Sequence, residues 1–92
     1  MSFTQIRECI RRKNKVQFNY PDLQQQTTQR TIWPLALISF SPAWLVAGWC
    51  ELRQSFRNFR LDRISKFMPL DSRYTNEKDK NLQAYLAQID HD

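Results

Sequence analysis

Three arginines, Arg57, Arg60 and Arg63, recur three residues apart in the stretch SFRNFRLDRI, residues 55–64. Phe56, Phe59, Leu61 and Ile64 stand between them, and such residues belong in a core. A guanidinium is a planar fork of N–H donors that stays charged in proteins. It meets phosphate or carboxylate through two parallel charge-assisted hydrogen bonds. The chemistry on offer is therefore anion recognition. Neighbouring aromatic rings add faces on which bases can stack. Arg57, Arg60 and Arg63 are the expected anion site, with Arg53 at its edge. The competing reading is structural, with Arg60 or Arg63 pairing with Asp62.

Other chemistries find little support. Cys9 and Cys50 form no CxxC motif, and His91 is the one histidine, too few ligands for a conventional zinc site. The two thiols read as partly buried and unpaired rather than as a disulfide. Gly48 is the only glycine, so no glycine-rich loop can cradle a phosphate. No nucleophile stands near a base in a recognisable signature. The chain is not expected to be an enzyme, nor to carry a cofactor or metal.

Charge and length fit an anion-binding single domain. The 92 residues carry 14 Lys and Arg against nine Asp and Glu, a net charge of +5. That excess suits an anionic partner such as a nucleic acid or nucleotide. It is concentrated in residues 53–66 and 7–15, while many of the acids fall after residue 70. No apolar run reaches the ~18 residues of a membrane span. The start, MSFTQIRECIRRK, lacks the apolar core of a signal peptide. A cytoplasmic location is the default expectation.

The elements that must position these arginines follow from periodicity. Phe3, Ile6, Cys9 and Ile10 give a helix over residues 2–13, with Ser2 as cap and Gln5 at the capping-box position. KVQFNY, residues 15–20, alternates as a half-buried strand. Pro21-Asp22 stops it, and LQQQTTQ is a polar connection. Thr27 to Ile32 returns as a second strand that Pro34 ends or places at an edge. LALISF (35–40) and AWLVAGW (43–49) read as buried strands around a Ser41-Pro42 turn. Gly48 marks a bend or a close backbone approach. Residues 65–80 read as mostly irregular because of Pro69 and their polarity. Leu82, Tyr85, Leu86 and Ile89 give a short C-terminal helix, at about residues 79–90.

The arginine stretch itself fits two periods. As a helix, the three arginines share one side. As a strand, Arg57, Phe59, Leu61 and Arg63 share one face and Phe56, Asn58, Arg60 and Asp62 the other. In the strand reading the arginines sit where they can reach past the rim of a barrel, solvated or bound to an anion. Buried without a partner they would be costly. Trp44 and Trp49 point to opposite faces of one strand. One can fill the core while the other caps a groove, meets a partner or stacks on a base; Trp44 is carried forward as a candidate ligand contact. The expected class is mainly β with flanking helices: a small five-stranded antiparallel barrel or strongly bent sheet.

At this point the residues resemble a known family. WLVAGWCELRQSFRNFRLDRI, residues 44–64, is similar to the central signature of the WYL domain, which reads W-Y-L-V-A-Y-C-E-L-R, a short gap, then R-x-F-R-L-D-R-I. Arg30, Ile32, Pro34, Leu35 and Leu37 match its R-x-V-x-P-L-x-L pattern. The opening helix and KVQFNY match its first two elements. The tail around Tyr85-Leu86 resembles the subgroup found in bacterial regulators of the YafY type. Two departures stand out: Leu45 replaces the tyrosine that names the family, and Trp49 follows Gly48 where an aromatic tyrosine is usual.

The resemblance implies an Sm-like barrel with an N-terminal helix, filling residues 1–92 as one domain with its core at about 2–70. It implies a sensor of nucleic acid fragments or nucleotides in a bacterial transcription regulator. Arg30 joins the candidate ligand contacts on the same ground. The DNA-binding helix-turn-helix domain usual in such regulators would lie in a longer protein or on a partner chain. The alternative is a protein-interaction or dimerisation module, a homodimer included, whose arginines are structural.

Overall fold

The computed structural model describes residues 2–90, with the Asp90 side chain set aside; the sequence-level reading of His91 falls outside them. An N-terminal helix, α1 (Phe3–Arg12), is followed by β1 (Asn14–Pro21), β2 (Thr27–Phe40), β3 (Ala43–Cys50) and β4 (Ser55–Arg60). A single 3-10 turn, Leu61–Arg63, leads into β5 (Ser65–Arg73), and α2 (Leu82–Asp90) closes the chain. The Ser2 hydroxyl accepts from the Gln5 N–H and caps α1. Lys13 ends the helix in the left-handed region, with φ 60°.

All five strands pair antiparallel in the order β4-β3-β2-β1-β5. The fold class is the mainly β one expected, with flanking helices, but the ladder does not close into a hydrogen-bonded ring. β4 and β5 are opposite edges of the sheet, yet they are neighbours in sequence. Laid flat, five strands would separate those edges by about 19 Å. A 3-10 turn rises only about 2 Å per residue, so the short link forces the sheet to curl. At the seam the Tyr20 hydroxyl accepts from the Arg60 backbone N–H at 2.9 Å. A side chain thus satisfies a donor that a closing strand would otherwise take.

Three elements differ from the sequence reading. The segments read as separate strands at 27–32 and 35–40 are one strand. Pro34 sits inside it because an irregularity between Pro34 and Ala36 absorbs the missing N–H. That extra residue also changes which side chains face in. Ile32 belongs to the inner core and Trp33 and Leu35 to the outer one, while after the bulge Leu37 packs inward and Ile38 outward. The stretch 56–64 is not one strand: β4 stops at Arg60 and the 3-10 turn takes over. Residues 65–73, read as irregular, form β5. Pro69 is tolerated there because β5 is an edge strand.

The curled sheet carries a core on each face. Inside, Ile6 and Cys9 of α1 meet Val16, Phe18, Ile32, Val46, Cys50 and Phe59. Outside, the segment after β5 covers Trp33, Leu35 and Ala47 with Tyr74 and Tyr85. Trp33 stacks on Tyr74 with ring centroids 5.4 Å apart, and the Tyr74 hydroxyl donates to the Pro34 carbonyl. Gly48 is a close approach rather than a bend: a Cβ there would lie 2.6 Å from the Trp33 carbonyl oxygen. Cys9 and Cys50 are both buried and unpaired.

Candidate anion-binding cleft

At the open end of the inner face lies a cleft of about 270 Å³. Several parts of the chain wall it. The end of β1 and the β1–β2 turn contribute Tyr20, Pro21, Asp22, Leu23 and Gln25. Arg53 comes from the link before β4, and Arg57, Asn58 and Phe59 from β4 itself. Arg30 of β2 and Arg63 of the 3-10 turn complete it. Four of the six candidate residues therefore meet in one place. The turn is held by Asp22, whose Oδ1 accepts from the backbone N–H groups of Gln24 and Gln26 at 2.9 Å each. This is an Asx-type turn, and it engages Oδ1 of the one carboxylate of the lining.

Arg30 is the unusual member. Its side chain is taken into the fold, with 3% of its surface exposed. The Nε–H donates to Thr28 Oγ1 at 2.9 Å, and NH1 donates to Cys50 Sγ at 3.6 Å. Its guanidinium lies 5.9 Å from the centre of the Phe59 ring. Among the described residues no carboxylate comes within 4 Å of it. A buried cation whose partners are a hydroxyl, a weakly accepting sulfur and a ring is poorly compensated. Arg53, Arg57 and Arg63 are exposed around the mouth. The lining has four guanidinium groups and one carboxylate, so an anion is the favoured occupant.

Arg60 and Trp44 lie elsewhere. Arg60 grips Asp62 through two bonds, of 3.0 and 2.8 Å. The bidentate contact holds the Asp62 carboxyl below its usual range and pushes the Arg60 guanidinium up. Its side chain points away from Phe59, as alternation along β4 requires. Trp44 is 41% exposed and packs edge-on against Phe3 of α1, 5.1 Å between centroids. In turn, Tyr20, Asp22, Leu23, Gln25, Asn58 and Phe59 line the cleft without having been singled out. The turn residues looked like a polar connection, and Asp22 after Pro21, a residue type that bonds the backbone just beyond it, is the signal that could have pointed to an ordered loop.

The described residues hold no cluster of three or more His, Cys, Asp or Glu side chains that could hold a metal ion. Among the same residues no helix is long and apolar enough to cross a membrane.

The family model of the WYL domain matches residues 1–69. That span covers α1 through the middle of β5 and includes every arginine of the cleft. Among solved structures, the chain is similar to proteasome accessory factor B/C (PafBC) of Arthrobacter aurescens, with 31% sequence identity and a TM-score of 0.71. The match covers 79% of this chain and 12% of that one, so the chain corresponds to a small part of that protein's length.

Proposed function

The chain belongs to the WYL domain family, and we propose that it is the ligand-sensing domain of a bacterial transcription regulator, binding nucleic acid fragments or nucleotides in the arginine cleft. The observation that carries this reading is Arg30: a buried guanidinium without an acidic partner among the described residues, at a cleft ringed by three exposed arginines. An anionic ligand would supply the missing counter-charge. Tyr20 and Phe59 offer ring surface beside it. The four guanidinium groups and the ring surface of the lining support a binding role rather than a catalytic one. The DNA-binding domain that such a sensor governs would be a helix-turn-helix unit on the same protein or on a partner, in the cytoplasm.

The test is fluorescence anisotropy of labelled short single-stranded DNA and RNA at two salt concentrations, with Arg57→Ala alongside. Each phosphate contact on a single strand contributes a slope of about −0.7 in log affinity against log salt. Two or three contacts should therefore be plainly salt-sensitive, and Arg57→Ala should weaken binding. Absence of binding at low salt would remove the nucleic-acid reading.

A second reading, a dimerisation or docking module, is favoured by the self-contained Arg60–Asp62 pair and the exposed Phe3–Trp44 pair. It predicts concentration-dependent, salt-insensitive association in analytical ultracentrifugation, which Trp44→Ala would abolish.

A further inference from the structure

The depth of Arg30 bears on which anion the cleft takes, a question that rests on the nucleic-acid reading above. Arg30 is held in plane by Thr28 on one side and Cys50 on the other. Thr28 is itself fixed, because its hydroxyl donates to the Tyr20 carbonyl at 2.9 Å. Two of the five guanidinium N–H groups are used in this way. The NH2 group is not sealed off: among the described residues, the only fully buried side-chain polar atom without a partner is Asn14 Oδ1. NH2, which has no hydrogen-bond partner among the described residues, is thus not fully buried, and Arg30 lines the cleft. Arg30 is 3% exposed, whereas Arg53, Arg57 and Arg63 of the same lining stand at the surface.

A phosphodiester inside a strand has a sugar on both sides and one negative charge. To reach Arg30 it would have to push a doubled strand into about 270 Å³, the low end for even a small-ligand pocket. A phosphomonoester ends the chain. It presents three free oxygens and about −1.5 to −2 charges at neutral pH. One face can take the Arg30 fork while the remaining oxygen faces the outer arginines. We propose that the cleft recognises a terminal phosphomonoester, on an oligonucleotide end or a free mononucleotide, with Arg30 as the deep contact and Thr28 and Cys50 as its positioning residues.

The experiment compares wild-type binding of one short thymidylate oligomer, internally labelled, carrying a 5′-phosphate, a 3′-phosphate or hydroxyls at both ends. Thymidine monophosphate, thymidine and inorganic phosphate serve as competitors. The expected result is at least about tenfold tighter binding of a phosphorylated oligomer than of the hydroxyl-ended one, as for hydrogen bonds to a charged group. Thymidine monophosphate should compete and thymidine should not. Arg30→Met should erase the preference while leaving weaker, salt-sensitive binding through the outer arginines. Thr28→Val should narrow it without changing that residual binding. Because the decisive comparison uses wild-type protein, a variant that fails to fold does not blunt it. Equal affinity for all three oligomers would overturn the end-recognition proposal and leave the nucleic-acid reading standing. Binding of none of them would overturn both.

Discussion

Arg30→Met sets the cost of the buried guanidinium directly against its use. Moving a charge of this kind from water into a protein costs several kcal/mol even after relaxation. What Arg30 receives in return is limited. One hydrogen bond from a charged donor to Thr28 contributes about 1.5–3 kcal/mol. The Cys50 sulfur at 3.6 Å is a weak acceptor, and the Phe59 ring at 5.9 Å is near the outer limit for a cation–π contact, together about 1 kcal/mol. The terms nearly cancel. Methionine keeps an unbranched apolar stem in the same space and carries no charge. It orphans little, since the Thr28 hydroxyl still donates to Tyr20. Unfolding stability is therefore expected to stay within about 1.5 kcal/mol of wild type or to rise, read as urea midpoints at unchanged slope. Oligonucleotide affinity should fall at least about tenfold in the same preparation. Adding ligand should raise the wild-type melting temperature and leave that of the variant nearly where it was. A variant destabilised by more than about 3 kcal/mol that still binds as wild type does would refute the reasoning. Arg30 would then be a structural residue whose compensation the contacts above fail to capture.

Three further outcomes follow from the same geometry. Arg60→Ala should leave anion affinity unchanged and the melting temperature almost so, because the Arg60–Asp62 pair is exposed and lies outside the cleft; loss of binding by titration would move Arg60 into the site. Gly48→Ala should cost about 1–3 kcal/mol in urea unfolding, since its Cβ meets backbone rather than a movable side chain; wild-type stability would mean that β2 and β3 separate more easily than their pairing suggests. Tyr74 has its pKa pushed up to about 12, first by burial and second by Cys9. A raised value favours the neutral phenol in the fold, so its contribution is complete below about pH 10 and is lost as pH rises through about 12. Tyr74→Phe should flatten that alkaline loss and cost about 1 kcal/mol at neutral pH by leaving the Pro34 carbonyl without its donor; an unchanged alkaline limb would assign the loss to other groups.

The expected and observed structures part where a residue's meaning depended on its neighbours across the sheet. Strand positions rich in alternation were legible: Val16, Phe18 and Tyr20 point to one face in the sequence, and Val16 and Phe18 are inner-core residues. Proline misled twice, for one reason. Its missing N–H forbids an ordinary ladder position, but Pro34 sits at a bulge and Pro69 on an edge, and neither circumstance is local to the sequence. β5 was hidden further because none of its nine residues is fully buried and seven are exposed, so no period of two survives in it.

The same dependence shaped the reading of the arginines. A spacing of three made Arg57, Arg60 and Arg63 look like a set, yet β4 ends at Arg60 and the chain turns. Alternation sends Arg60 outward to Asp62, and the 3-10 turn brings Arg63 back to the cleft beside Arg57. Arg30, more than twenty residues upstream, reaches the same cleft because the sheet curls, and its burial is invisible in a one-dimensional pattern. It occupies an inward position two residues before Ile32, where an apolar side chain would be expected. An inward-facing charge on an otherwise apolar row is the signal that points to it, and it becomes readable once the strand's register is known. The cleft is thus built by register more than by spacing. A change that shifts the Pro34 bulge would move the side chains beyond it between the faces, and whatever disturbs β2 near Arg30 should alter binding before it alters the exposed arginines.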